Sequence, residues 1–285
     1  MQPLFEHRLE LAGFETRALE LEGEGPPLLL LHGWADSADT WRLLLAQLGR
    51  DDRRAVALDM PGFGTASPPD EEKPFLPQLD AFCDAALEYI APDGGAVIVG
   101  NSLGGTVALR AAERSELGLA GVVPLAPAGL DMARWFVLIE RDPVVRWLLA
   151  SPVPLPGPVV RAAVAEAYRR IAFRRPGSLD PGVVANFASH LASKESAARI
   201  LGIGRRMLPE LRDPFRLERI SCPVLLVWGR NDLLVFQTGA DRVLEAAEEA
   251  RLEVVDDCGH CPQLECPEHL HDLLVDFPAR LERAA

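Results

Sequence analysis

The chain has 285 residues, of which 48% are hydrophobic and 25% charged, the proportions of a soluble globule and not of a disordered chain. At this length it can bury most of its apolar surface without a metal or disulfide staple, as two domains or one large α/β unit. Its formal net charge of −13 excludes a general nucleic-acid binder, which needs net positive surface against phosphate.

No targeting segment is visible. Residues 1–24 mix charges with short apolar stretches and lack a continuous signal core, and Leu28–Leu31 is far too short to span a bilayer. Five cysteines leave one over in any pairing, and without a secretion signal a reduced, cytoplasmic location is expected. Glu6–Leu11 and Thr16–Glu22 alternate apolar and polar residues around Gly13, which predicts an antiparallel hairpin. Pro27–Leu31 is a short apolar run ending in His32-Gly33, a buried strand. Thr40–Leu48 has helical spacing, and Ala55–Leu58 is a second buried strand running into Asp59-Met60-Pro61-Gly62-Phe63-Gly64. A helix over Leu76–Ile90, a strand at Ala96–Val99, a helix over Leu103–Arg114 and a strand near Val122–Leu125 follow. Apolar strands alternating with helices predict an α/β protein: a mostly parallel central sheet with helices on both faces.

From about Gly129 to Phe215 the strand signal stops and Arg and Pro become frequent, with a rigid connector at Pro152–Pro158. Residues 131–215 hold 12 Arg and 1 Lys against 8 acidic residues, a net of +5 that leaves −18 on the remainder. The α/β pattern resumes with a strand at Val224–Trp228, a helix over Ala240–Ala250, a strand at Leu252–Val255 and a helix over Pro267–Arg283. The expected division is a body formed by 1–128 and 216–285, interrupted by a helical insertion over 129–215.

The strongest chemical signal is Gly100-Asn101-Ser102-Leu103-Gly104-Gly105. It fits G-x-S-x-G after a buried strand and before a helix, the setting in which a serine is held strained with its hydroxyl above the sheet. A hydroxyl is a weak nucleophile at neutral pH and needs a base. His260 follows the last strand in Asp257-Cys258-Gly259-His260-Cys261-Pro262, whereas His7, His190, His269 and His271 lie in the hairpin, the insertion and the last helix. A base needs a carboxylate partner. Asp232, after the strand at 224–228, is preferred to Asp256 and Asp257, which stand nearer His260 in sequence but at the end of its own strand. The oxyanion of a tetrahedral intermediate needs N–H donors; the backbone amides of Leu103 and Trp34 are the candidates, and Trp34 is also a candidate for the pocket floor.

Five pieces in order now resemble one superfamily: His32-Gly33-Trp34 with Trp41, Asp59-Met60-Pro61-Gly62-Phe63-Gly64, the Ser102 hexapeptide, Trp228-Gly229-Arg230-Asn231-Asp232, and Gly259-His260-Cys261-Pro262-Gln263-Leu264-Glu265. The chain looks like the cap-bearing branch of the α/β-hydrolase superfamily, over nearly its whole length. The resemblance implies an α/β-hydrolase fold, a helical cap in 129–215, catalytic Ser102, Asp232 and His260, and neither metal nor organic cofactor. It implies a small-molecule substrate, and the cap's apolar stretch, with Trp135 and Trp147, suggests a greasy acyl or aryl pocket. Haloalkane dehalogenases and epoxide hydrolases of this fold carry Asp where this chain has Ser102, which directs the reading to carboxylic esters. C–C hydrolases of aromatic meta-cleavage products, or a low-turnover ligand-binding protein on the same fold, remain alternatives.

Three signals compete. Cys258-Gly-His-Cys261 matches the thioredoxin C-x-x-C, but closes a large α/β body instead of following an early strand. Zinc ligation by Cys258, Cys261, Cys266 and His260 would consume the base. The basic insertion could draw anionic substrates or lipid; a solvated face with Arg stems over apolar surface is the simpler reading.

Overall fold

The structure is a computed structural model that describes residues 2–132, 157–158, 162, 166, 169–170, 172–175 and 193–282. Trp135, Trp147 and His190, with the apolar stretch around the two tryptophans, lie outside the described residues. Strands β1 (Leu4–Leu11) and β2 (Phe14–Leu21) form the expected hairpin. Its two turn residues, Ala12 and Gly13, sit at φ +51° and +82°, the positive-φ pair that matches the twist of the flanking strands. The remaining strands are β3 (Glu24–Leu31), β4 (Arg53–Leu58), β5 (Val97–Asn101), β6 (Gly121–Leu125), β7 (Val224–Gly229) and β8 (Ala250–Val255). They complete an 8-stranded sheet of order β1-β2-β4-β3-β5-β6-β7-β8. It is parallel from β4 to β8 and antiparallel only where β2 joins β1 and β4.

The apolar runs read as strands divide residue by residue between two cores, as a period of two requires. Leu29, Leu31, Ile98, Val122, Leu226 and Trp228 join one buried cluster, with α2 (Phe75–Ile90), α3 (Leu103–Ala112) and α5 (Ala240–Ala246). Leu28, Leu30, Val97, Val99, Leu225 and Val227 join the other, with α1 (Arg42–Leu48) and α7 (Pro267–Glu282). A short helix, α6 (Pro262–Glu265), precedes α7. The helix expected over Ala240–Ala250 ends at Ala246, and Ala250 opens β8 opposite Val224. Pairing with β7 overrides the helical preference of the Ala- and Glu-rich stretch.

Asp59, fully buried at the end of β4, ties the hairpin to the loops after β3 and β4. It accepts from the Arg17 guanidinium (3.2 Å), the Ala38 amide (2.8 Å) and the Thr65 amide (2.8 Å). Within the segment read as an insertion, α4 (Lys194–Glu210) starts with a capping box of Ser193 and Ser196. Its Ile200, Ile203 and Met207 pack into the same cluster as Met60, Phe63 and Phe75. The last residue of α4 serves another helix. Glu210 accepts from the amides of Phe75 (2.7 Å) and Leu76 (2.9 Å), so it caps α2, whose own Pro74 has no side chain able to do so. Among the described residues no helix is long and apolar enough to cross a membrane.

Two charge-assisted hydrogen bonds to otherwise orphaned helix amides set the size of the next effect. Glu210→Ala is expected to lower the unfolding free energy by about 1–3 kcal/mol, read by urea denaturation; a change under about 0.5 kcal/mol would mean that α2 is capped by other means.

Candidate active site

Ser102 stands between β5 and α3 at φ +53°, ψ −109°, a region that costs a non-glycine residue on the order of 1–3 kcal/mol. Three backbone hydrogen bonds clamp it there: Ser102 N–H to Leu125 O at 2.8 Å, and Ala128 N–H and Thr106 N–H to Ser102 O at 3.1 and 3.0 Å. The glycines on either side are demanded by space. A Cβ on Gly100 would lie 2.1 Å from Gly104 O, and one on Gly104 would lie 2.1 Å from Leu31 O.

Asp232 occupies the turn after β7. The loops bearing Asp232 and His260 meet backbone to backbone, since a Cβ on Gly229 would lie 1.9 Å from Gly259 O. Asp232 Oδ1 accepts from the amides of Leu234 (2.7 Å) and Val235 (3.1 Å), which fixes the carboxylate. Its Oδ2 accepts from His260 Nδ1 at 2.7 Å. Both residues are buried, at 8% and 6% exposure, so little water competes for the bond. With Nδ1–H committed to Asp232, the neutral ring carries its lone pair on Nε2. The alternative carboxylates are engaged elsewhere: Asp256 with Arg230, and Asp257 with Arg175 at 2.6 Å.

The His260 loop is held on every side. His260 N–H donates to Ala172 O (2.7 Å), and His260 O accepts from Asn101 Nδ2 (3.0 Å), the side chain next to Ser102. The fully buried Gln263 donates to Asn101 Oδ1 (3.3 Å) and to Thr40 Oγ (3.2 Å). Glu265 accepts from the amides of Gly259 (2.7 Å) and Arg174 (2.8 Å); burial raises its carboxyl, and these amides pull the other way. Asn101, Gln263 and Glu265 stand inside motifs quoted above yet carried no assigned part. The signal that could have found them is a neutral amide or carboxylate set in an otherwise apolar loop, which must be hydrogen-bonded once buried. Ala172 offered no signal, because it acts through its carbonyl.

Gly33 brings the loop after β3 against the elbow: a Cβ on it would lie 3.4 Å from Ser102 Cβ and 3.3 Å from Asn101 Oδ1. The next residue, Trp34, packs half-buried against the core. Leu103 is the first residue of α3, so its N–H is among those the helix cannot satisfy internally. His32 serves the backbone. Its Nε2 accepts from Met60 N–H (2.9 Å) and its Nδ1 donates to Gly33 O (2.7 Å), which ties β3 to β4. Among the described residues no group of three or more His, Cys, Asp and Glu is arranged to hold a metal ion.

The model of the alpha/beta hydrolase family matches residues 28–270, most of the chain. The chain belongs to that family. Among its curated relatives, a pimeloyl-[acyl-carrier protein] methyl ester esterase of Aromatoleum aromaticum is 30% identical over 258 residues, covering 88% of this chain and 97% of the relative. A 2-hydroxy-6-oxo-6-(2'-aminophenyl)hexa-2,4-dienoic acid hydrolase of Metapseudomonas resinovorans is 25% identical over 283 residues, covering 96% of this chain and 91% of the relative. Among solved structures, a bacterial membrane phospholipase A shares the fold with a TM-score of 0.79 at 22% identity, over 98% of this chain and 87% of that one.

One further group beside the site of this α/β hydrolase was not read from the sequence. Asp36 lies buried four residues after His32. Burial pushes its carboxyl up from 3.8 to about 7, against the Ser37 amide and the Thr40 hydroxyl. Because the folded value lies above the ordinary one, folding favours the protonated form, and stability is eroded as the pH rises from about 4 to 7. Asp36→Asn removes that titration. Its advantage in Tm over the wild type is expected to be larger at pH 8 than at pH 5, by the equivalent of on the order of 2 kcal/mol. Equal differences at both pH values, in a thermal-shift series, would rule out a titrating Asp36.

Proposed function

We propose that this α/β hydrolase is a serine hydrolase of carboxylic esters bearing an apolar acyl or aryl group, with Ser102 as nucleophile, His260 as base and Asp232 as its partner. The observation that carries the reading is the buried Asp232–His260 bond of 2.7 Å, one loop away from a serine held in the strained elbow. The 30% identity to a methyl ester esterase supports the same reaction class.

In this reading Ser102 Oγ attacks the ester carbonyl as His260 Nε2 takes its proton. Asp232 holds the ring in the required tautomer and stabilises the imidazolium. The carbonyl oxygen becomes an oxyanion and accepts from the amides of Leu103 and Trp34, groups already fixed by a helix start and a tight loop. Collapse breaks the ester C–O bond, and His260 gives its proton to the leaving alcohol. Water then attacks the acyl-enzyme, losing its proton to His260, and the acid departs as Ser102 recovers its hydrogen.

In this reading segment 129–215 is the cap, and Trp34, Trp135 and Trp147 are the candidates for apolar contacts with the substrate. Support for a cap comes from two hydrogen bonds, His260 N–H to Ala172 O and Arg174 N–H to the Glu265 carboxylate. A second reading, hydrolysis of a C–C bond in a dienol diketone, draws on the 25% identity over 96% of the chain to the dienoic acid hydrolase.

The test is steady-state hydrolysis of p-nitrophenyl esters from acetate to palmitate, with wild type and Ser102→Ala side by side. Turnover is expected to fall by at least about a thousandfold in the variant, roughly 4 kcal/mol of barrier. Near-normal turnover in Ser102→Ala would remove Ser102 from the mechanism. A folded wild type that is inert on every ester but bleaches a coloured dienol diketone would move the assignment to the second reading.

A further inference from the structure

Cys258 and Cys266 are both free thiols, and their sulfurs lie 3.3 Å apart. The spacing of Cys258-Gly-His-Cys261 would pair 258 with 261; the fold does otherwise. Cys261 turns into a small apolar cluster with Ala172, Phe173 and Leu264. Cys266 is brought back to Cys258 by α6, whose last turn closes with Cys266 N–H on Pro262 O (2.9 Å). A disulfide bond is about 2.05 Å long, so closing the pair needs the sulfurs to approach by only about 1.3 Å, within reach of small side-chain rotations.

We propose that Cys258 and Cys266 form an oxidation site at which a small peroxide closes a disulfide around the His260 loop. The half-buried Cys266 attacks first. Its thiolate takes one oxygen of the peroxide, the O–O bond breaks, and Cys266 becomes a sulfenic acid while the other oxygen leaves as water after protonation. Cys258 Sγ then attacks the sulfenic sulfur. The S–S bond forms, and the sulfenic oxygen leaves as a second water with the Cys258 proton. Two thiols lose two electrons and two protons, and one peroxide becomes two waters.

The closed ring encloses residues 259–265, His260 among them. The sulfurs already touch, so the disulfide fixes the loop where it stands. A loop of this length restricts the unfolded chain enough to raise Tm by about 5 °C. The inference concerns covalent chemistry and stability, so it does not rest on the hydrolase reading.

The experiment treats the whole protein with hydrogen peroxide, blocks remaining thiols with iodoacetamide, and digests with a protease that cuts after Glu. Cleavage at Glu253, Glu265 and Glu268 separates fragment 254–265 from 266–268. The expected product joins these fragments with the loss of two hydrogens and leaves the alkyl group on Cys261. Its Tm rises by about 5 °C and falls back with dithiothreitol. Cys261→Ser should give the same link and the same rise; Cys266→Ser should give neither. A bond between Cys258 and Cys261, a sulfinic acid on Cys266, or five alkylated cysteines after exposure that oxidises free cysteine would each overturn the proposal. If Cys266→Ser fails to fold, wild type and Cys261→Ser still decide it.

Discussion

Where β5 passes into α3, three stretches of backbone occupy space that admits no side-chain atom. Gly100 lies against Gly104 O, and Gly104 lies against Leu31 O. This contact does two things at once. It lets the helix start so close to the strand end that Ser102 is driven to φ +53°. It also seats the end of β3 beside the elbow, so the loop of Gly33 and Trp34 starts next to the serine. The strain at Ser102, on the order of 1–3 kcal/mol, is small beside the burial of two apolar cores on the sheet faces. The rest of the site is arranged around a residue that the fold holds in place by steric necessity.

The second level of order is polar and converges on loops. Asp59 joins the hairpin, the loop after β3 and the loop after β4. Asn101 and Gln263 join the elbow to the His260 loop. Asp59, Asn101 and Gln263 are themselves buried, so losing a partner strands one of them in a place where water cannot replace it. The positions of Ser102 and His260 are thereby coupled through the side chains of Asn101 and Gln263.

Much of this was legible in the sequence. The strands announced themselves as short apolar runs, and the alternation within each run predicts which core a residue joins. The places of Ser102, Asp232 and His260 in the fold could be read because each follows the end of a strand, where the sheet presents its loops on one edge. Other features left no trace. Glu210 caps a helix more than a hundred residues earlier in the chain, and its receivers are backbone amides. The end of α5 was misjudged because a local preference for helix yielded to the edge of β7. The proximity of Cys258 and Cys266 also left no trace, because spacing along the chain is a poor guide where a short helix returns one residue onto another.

The bond between His260 N–H and Ala172 O uses no side chain on either side. Residue 172 is itself buried among Phe173, Cys261 and Leu264, so only a small side chain leaves its carbonyl in place against the histidine. Residues 172–175 meet the His260 loop through main chain and side chain together, since Arg175 also pairs with Asp257 and Phe173 packs with Cys261 and Leu264. In evolutionary terms, residues 172–175 are constrained in side chain as well as backbone, and a change at one of them must be matched on the His260 loop.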